Sequence, residues 1–207
     1  MADPNFLRIC LLGHSFISRL QRYMDSHEDL RNLRLHQDYY SVSVRARGGL
    51  CISTLARSRH FLTFDVLPDM CFMQIGENDV LNFCDDVIVR DILSLATYLH
   101  HGLGIRTVIV GQLLRRQPWA SSCNFNDRII AINIRLREQL SSMDGVHFWP
   151  HRGFWNDMTF LGHDGVHLRC SAPSLHVVTT SPMYRFWRSI RSAVLQHRHS
   201  SGQYTSS

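Results

Sequence analysis

The chain has 207 residues, of which 44% are hydrophobic and 19% charged, so it can build the core of one ordinary domain and disorder is excluded. Its formal net charge of +5 comes entirely from arginine, because lysine is absent. The absence of lysine excludes P-loop phosphate binding, Schiff-base chemistry and Ser-Lys dyads.

Apolar runs and helical patterns alternate along the chain. In chain order they predict a strand at 6–13, a helix at 17–30, a strand at 41–47, a helix at 52–61, a strand at 70–76, a helix at 85–102, a strand at 106–114, a helix at 124–140, a strand at 146–150 and a helix at 183–196. This alternation predicts an α/β fold, a five-stranded parallel sheet with helices on both faces. No linker divides the chain, so 1–199 is predicted to be one domain and 200–207 a disordered tail.

The sequence predicts neither a targeting segment nor a membrane anchor. No run approaches the ~18 apolar residues that span a bilayer. Asp3, Pro4 and Arg8 interrupt the first apolar run, which argues against a secretory signal. The six cysteines form no Cys-x-x-Cys pair. We therefore expect an intracellular protein, in the cytoplasm, with reduced thiols.

The excess of arginine raises the question of nucleic acid. The arginines are scattered, and their only local concentration lies at 184–199. A generic basic surface is the simpler interpretation, and phosphate binding by these arginines stays an alternative. The pattern carries no signal of oligomeric state.

Polar residues follow four of the predicted strands, where ligands bind in parallel sheets. Ser15 follows the first strand, Gly49 the second, Asn78 the third, and the loop after the fifth holds Asp164 and His167. These residue types suit acyl transfer. A serine at a helix N-terminus would be the nucleophile, a histidine the base, and an aspartate would fix the tautomer of that histidine. The backbone N–H groups of Ser15 and Gly49, with the Asn78 amide, would form an oxyanion hole.

Each feature taken alone has a simpler structural interpretation. Gly13-x-Ser15 is more often a helix N-cap than a nucleophile, and Gly48-Gly49 is typical of a turn. Asn78 could cap its loop, and Asp164-Gly165 is typical of a tight turn. The agreement of all four, each at the end of a separate strand, favours the catalytic interpretation.

The same segments resemble the sequence blocks of the SGNH hydrolases, the GDSL-type esterases. ICLLGHSF (9–16) is similar to block I, ARGGLCIST (46–54) to block II, MQIGENDV (73–80) to block III and DGVHL (164–168) to block V. The GHSF variant of block I is also similar to SGNH-type domains common in animal genomes.

This resemblance covers about 6–197 and implies a three-layer flavodoxin-like fold. It also implies a serine esterase that hydrolyses carboxylic esters of a small-molecule or acylated substrate through an acyl-enzyme, without metal or cofactor. Ser15 would be the nucleophile, Gly49 and Asn78 the oxyanion donors, and Asp164 and His167 the rest of the triad.

One position departs from the family pattern, because the usual Gly-Asp-Ser is Gly13-His14-Ser15 here. A protonated His14 could lower the pKa of His167 or compete for the serine hydroxyl. The alternative to an active esterase is therefore an SGNH-fold binding module with weak or no turnover, associated with nucleic acid through its arginines.

Metal binding is a competing use of the histidines near the end of the chain. His163 and His167 are four residues apart with Asp164 between them, a spacing that would suit zinc on a helix. Gly162 and Gly165 disfavour a helix there, and no cysteine pair assists. We therefore expect no metal.

Overall fold

The framework of the protein is a parallel sheet. A computed structural model describes residues 6–155, 158–171 and 181–198. The strands are β1 Leu7–Gly13, β2 Tyr40–Ala46, β3 Met70–Gln74, β4 Thr107–Gly111 and β5 Val146–Trp149. They form a five-stranded sheet in the order β2-β1-β3-β4-β5, and every neighbouring pair is parallel. The predicted α/β fold is confirmed, and its strand order is that of flavodoxin-like folds.

Helices connect the strands. The α-helices of the described residues are α1 Ser15–Asp25, α2 Ile52–Arg57, α3 Arg59–Leu62, α4 Asp85–Thr97, α5 Phe125–Leu140 and α6 Pro182–His197. In the same part of the chain, 3₁₀ segments lie at Glu28–Arg34 and Pro118–Ala120, and a π-helical turn, Tyr98–Gly102, continues α4. Each predicted helix therefore corresponds to helical structure, although the first two differ from their predicted bounds by more than a single terminal residue.

The first helix begins earlier and ends earlier than its apolar spacing predicts. The side chain of His14 caps α1 by accepting a hydrogen bond from the backbone N–H of Phe16, so the helix begins at Ser15. Histidine is not among the residues that normally mark an N-cap, which is why the sequence pattern missed this start. The helix ends at Asp25, and of the predicted remainder only 28–30 lie in the 3₁₀ segment.

The predicted helix at 52–61 is two short helices separated by Ser58. The backbone of Ser58 is extended, with φ −92° and ψ 109°, and its N–H closes the last turn of α2 on the carbonyl of Leu55. Its own carbonyl accepts from the N–H groups of Phe61 and Leu62 in α3. The apolar spacing continues across the break, so periodicity alone could not show it.

The core consists of two layers, one on each face of the sheet. Cys10 and Leu12 of β1 pack in the layer formed with α2, α4 and α5. Ile9 and Leu11 pack in the other layer, with α1 and α6. Successive side chains of a strand point to opposite faces, so β1 is buried on both sides, as its continuous apolar run predicts.

Three further sequence predictions concern the C-terminal tail, membrane-spanning helices and the cysteines. The predicted disordered tail at 200–207 lies outside the described residues. Among the residues that the structure describes, no helix is long and apolar enough to cross a membrane. The six cysteines are free thiols, and Cys10 and Cys71 lie opposite each other on β1 and β3.

Candidate active site

The candidate residues Ser15, Gly49 and Asn78 lie at the carboxyl edge of the sheet. Ser15 is the first residue of α1, directly beyond β1. Gly49 and Asn78 lie in the loops that follow β2 and β3. Because β1 is flanked by β2 and β3, these loops are neighbours, at the switch point where ligands bind in sheets of this order.

The loops after β2 and β3 are joined by side chains of the Gly-Glu-Asn-Asp segment. Asn78 Nδ2 donates to the carbonyl oxygen of Leu50 at 3.1 Å. The carboxylate of Asp79 accepts from the N–H of Ile52 at 3.2 Å and so caps α2. Gly49 has φ +72°, a left-handed conformation that favours glycine. The predicted turn at Gly49 is therefore held directly against the segment that carries Asn78.

Asp164 and His167 form a hydrogen-bonded pair within a tight turn. His167 Nδ1 donates to Asp164 Oδ2 at 2.7 Å. Asp164 Oδ1 accepts from the backbone N–H groups of Val166 at 3.0 Å and His167 at 2.9 Å. Gly165 takes φ +65° at the bend of this turn. The turn interpretation and the catalytic interpretation of this segment are thus compatible, because the turn is what brings the two side chains together.

This turn packs against the N-terminal part of α1. The ring of His167 meets the ring of Phe16 edge-on, with 5.9 Å between centroids. Arg19 lies one turn further along α1, and its guanidinium is 3.6 Å from Asp164 Oδ2. Within the described residues, the ring of His167 is hydrogen-bonded to Asp164 and not to Ser15. The Asp164–His167 pair therefore lies beside the helix that begins with Ser15, but His167 and Ser15 are not hydrogen-bonded to each other.

A metal centre is not assembled from these groups. Among residues 6–155, 158–171 and 181–198, no three His, Cys, Asp or Glu side chains are placed to hold a metal ion. His163 is exposed, whereas Asp164 uses both carboxylate oxygens on the turn itself. The geometry favours an oriented imidazole over a zinc ligand set.

Known proteins support this description of the fold. No family model and no curated protein matches the chain. Solved structures do match. One is a candidate acylhydrolase from Bacteroides fragilis, with TM-score 0.64, 19% identity, and coverage of 95% of this chain and 90% of that one. Another is a GDSL-like lipase from Bacteroides thetaiotaomicron, with TM-score 0.63, 16% identity, and coverage of 93% and 87%. A third is a carbohydrate esterase family 3 protein from Talaromyces cellulolyticus, with TM-score 0.62, 16% identity, and coverage of 93% and 98%.

The chain has the fold of the SGNH hydrolases. At these identities the likeness establishes the fold alone.

The Asp164–His167 pair is held in the protonation state that a general base requires. Partial burial raises the pKa of Asp164, but hydrogen bonds from the backbone of His167 and Val166 and from the His167 ring outweigh it and lower the pKa to about 2. Burial lowers the pKa of His167 from its ordinary 6.5, the hydrogen bond to Asp164 raises it, and the charge of Arg19 lowers it again. The net direction is downward, so His167 is a neutral base at neutral pH.

A substitution at Arg19 tests these opposing contributions to the pKa of His167. Replacing Arg19 with glutamine removes a positive charge near His167 and leaves the negative charge of Asp164 uncompensated. Both changes favour the imidazolium, so the pKa of His167 should rise. The acid limb of the kcat/KM profile is therefore expected to move to higher pH in Arg19→Gln. A profile identical to that of the parent, or displaced to lower pH, would contradict the assignment of His167 as the base.

His14, the departure from the family pattern, has both ring nitrogens bound to groups other than the serine hydroxyl. Its side chain is 1% exposed, and its Nε2 donates to Glu77 Oε2 at 2.6 Å. Its Nδ1 accepts from the N–H of Phe16 at 3.4 Å. Both ring nitrogens are therefore engaged, and the expectation that His14 could compete for the Ser15 hydroxyl is wrong. A protonated His14 would add a small lowering to the pKa of His167, which is the electrostatic effect expected from the sequence.

Glu77 is a structural residue that the sequence analysis missed. Its Oε1 accepts from Gln74 Nε2 at 2.7 Å and from the N–H of Leu114 at 3.1 Å, so it ties the ends of β1, β3 and β4 together. Burial raises the pKa of Glu77, but the charge and hydrogen bond of His14 lower it, and the net direction is downward. The sequence did contain a signal for this buried pair: a histidine stands in block I, and an acid stands directly before the asparagine of block III.

The hydrogen-bond network continues from Glu77 to α6. Gln74 Oε1 accepts from His151 Nε2 at 3.1 Å, and His151 Nδ1 accepts from the hydroxyl of Ser189 at 2.9 Å. Complete burial lowers the pKa of His151 to about 3, so this ring is neutral. The network therefore connects the cap of α1 to α6 through the middle of the sheet edge.

Arg116 is a second residue that the sequence analysis missed. It lies in the loop after β4 and is only 9% exposed. Its Nη2 donates to the carbonyl oxygen of Glu77 at 3.1 Å and to Asn78 Oδ1 at 3.2 Å. Burial lowers its pKa and the nearby Glu77 carboxylate raises it. A cation thus lies directly behind the predicted oxyanion donor.

Proposed function

We propose that the protein is a serine hydrolase of the SGNH type that cleaves carboxylic esters through an acyl-enzyme. One observation carries the proposal: the Asp164–His167 pair, joined at 2.7 Å, packs against the N-terminal turn of the helix that begins with Ser15. An imidazole oriented by a carboxylate next to a serine at a helix N-terminus is the arrangement that activates a hydroxyl.

In the proposed reaction, Ser15 Oγ attacks the ester carbonyl while His167 Nε2 accepts the hydroxyl proton. Asp164 keeps Nδ1 protonated and stabilises the imidazolium that forms. The N–H groups of Ser15 and Gly49 and the amide of Asn78 donate to the oxyanion of the tetrahedral intermediate. His167 then returns its proton to the leaving alcohol, and water repeats the sequence on the acyl-enzyme. The positive end of α1 favours the negative charge at each stage.

The proposal needs no cofactor or metal, and the substrate is a small-molecule or acylated ester. A cytoplasmic location is also proposed. It is supported by the free thiols of Cys84, Cys123 and Cys170, which are exposed and would be kept reduced in that compartment.

A binding module of SGNH fold without useful turnover is the second candidate. The missing hydrogen bond between Ser15 and His167 favours it. In enzymes without substrate such contacts are often long and shorten when the complex forms, so the present geometry fits either candidate.

Labelling with an aryl fluorophosphonate distinguishes the two candidates, because this probe reacts with an activated serine regardless of the natural substrate. The wild-type protein is expected to be labelled, and Ser15→Ala is expected not to be. Ser18→Ala is the matched control, since the Ser18 hydroxyl lies one turn along α1, buried and without a hydrogen-bond partner in the described residues. Labelling of Ser15→Ala at the wild-type level would reject Ser15 as the nucleophile, and an unlabelled wild-type protein would favour the binding module.

A further inference from the structure

We propose that Arg116 is a positioning residue of the oxyanion hole, which holds the Asn78 amide so that an Nδ2–H faces the reacting carbonyl. This inference rests on the proposed hydrolase function. Its basis is the set of contacts around the Asn78 side chain and the way in which Arg116 itself is fixed.

The contacts of Asn78 determine which end of its amide is oxygen. Arg116 has only donors, so the Asn78 atom that meets its Nη2 at 3.2 Å must be the acceptor, Oδ1. The carbonyl oxygen of Leu50 has only acceptor capacity, so the atom that meets it at 3.1 Å must be Nδ2. A flipped amide would lose both bonds. One N–H of Nδ2 is used on Leu50, and in the described residues the second meets no acceptor, which leaves it for an oxyanion.

Arg116 can fix Asn78 because its own position is well determined. Asn126 in α5 binds the backbone of Arg116 on both sides: Oδ1 accepts from its N–H at 3.0 Å and Nδ2 donates to its carbonyl at 2.8 Å. The guanidinium lies over the ring of Phe125, 4.6 Å from its centroid, and donates to the carbonyl of Glu77. Its contacts therefore hold the residue at both its backbone and its head group.

The charge of Arg116 is also not consumed by an ion pair. Among the described residues no carboxylate lies within ion-pair distance of its guanidinium, whereas Arg19 and Arg128 each have such a partner. The Glu77 carboxylate is near enough to raise the pKa of Arg116 but forms no ion pair with it. The guanidinium charge polarises the Asn78 amide through Oδ1 and makes Nδ2 a stronger donor, in the direction that helps when charge develops on the carbonyl oxygen.

The test is a double-mutant cycle between Arg116 and Asn78, with a control variant at the neighbouring residue Arg115. Arg116→Met removes the charge and both donors but keeps an unbranched side chain that can pack over Phe125. Arg115→Met makes the same chemical change at the adjacent residue, whose guanidinium instead contacts Trp155. Asn78→Ala is combined with Arg116→Met to ask whether Arg116 acts through Asn78. Arg116→Lys provides a second variant that keeps a donor at this position.

We expect Arg116→Met to lower kcat about tenfold with little change in KM, because an oxyanion donor matters only when charge has developed. Arg115→Met should leave both constants unchanged, and Arg116→Lys should recover part of the loss. In the Asn78→Ala background, Arg116→Met should lower kcat by less than about twofold, because residues that act as a unit are not additive. Independent, multiplicative losses, or an effect on KM alone, would reject the positioning role.

A spectroscopic measurement separates this inference from the proposed function. The side-chain NH₂ signals of Asn78 in a ¹⁵N-labelled protein should show restricted motion in the wild type and in Arg115→Met, and increased motion in Arg116→Met. Equal mobility in all three would overturn the inference even if the protein is an active hydrolase. A protein that neither hydrolyses esters nor reacts with the fluorophosphonate would instead overturn the proposed function, while the NMR comparison still decides whether Arg116 holds Asn78.

Discussion

Alanine in place of His167 is expected to lower kcat/KM for an aryl acetate by about 10⁴-fold or more. His167 is the group that takes the serine proton in the proposed reaction, and Asp164 cannot replace it, because its carboxylate is hydrogen-bonded within the turn and has a pKa of about 2. Loss of the base leaves Ser15 as an ordinary alcohol, which is a weak nucleophile at neutral pH. Single-turnover rates measured with the purified variant, together with its melting temperature, check this expectation.

The matched control for this prediction is His163→Ala. His163 lies four residues earlier in the same loop and is exposed, so its removal should leave kcat/KM unchanged. The pair of variants also tests the metal alternative. If His163 and His167 were both zinc ligands, the two alanine variants should lose activity to a similar extent, and EDTA should inactivate the wild-type protein. Loss of activity in His163→Ala would therefore count against the serine mechanism.

Strands β1, β3 and β4 could be predicted closely from sequence because each is a short apolar run that is largely buried on both faces. Helix bounds were less predictable, since caps and breaks depend on individual hydrogen bonds. The start of α1 depends on the His14 side chain, and the break between α2 and α3 depends on the backbone of Ser58. Neither feature changes the apolar spacing from which the helices were predicted.

The contacts of the candidate site are also of two kinds: the local ones could be predicted from sequence, and the long-range ones could not. The Asp164–His167 pair is formed within a turn of four residues, so its spacing could be read from the sequence. The contact of His14 with Glu77 spans 63 residues, and that of Arg116 with Asn78 spans 38. These contacts exist because β1, β3 and β4 end at one edge. Which side chains meet there follows from tertiary packing, which a single sequence does not show.

The pairing of His14 with Glu77 changes the meaning of the departure in block I. From the sequence, a histidine in place of the family's aspartate indicated weakened catalysis. In the structure that histidine is 1% exposed and donates to a carboxylate that is equally buried. An aspartate at this position would instead place two carboxylates together without water. The substitution therefore fits its surroundings, and it no longer favours an inactive module.

His14→Asp is accordingly expected to destabilise the fold by about 3–5 kcal/mol near neutral pH, the usual effect of leaving a buried charge without its partner. In the wild type the pKa of Glu77 is lowered in the folded state, so the pair stabilises the fold above the ordinary pKa of a glutamate and loses this contribution as pH falls through the lowered value. In the variant, repulsion raises a carboxyl pKa, and that penalty disappears on protonation at low pH. The difference between the two proteins should therefore be largest near pH 7 and become smaller in acid. Urea unfolding at several pH values measures it.

A second substitution tests whether Glu77 is the cause. In His14→Asp/Glu77→Gln, the glutamine amide can donate to the introduced carboxylate and one of the two like charges is gone, so much of the lost stability should return. Glu77→Gln alone should be destabilised, because it weakens the bonds to His14 and Leu114. If His14→Asp were as stable as the wild type at every pH, or if the double variant were no more stable than the single one, the buried His14–Glu77 pair would not be what holds the ends of β1 and β3 together.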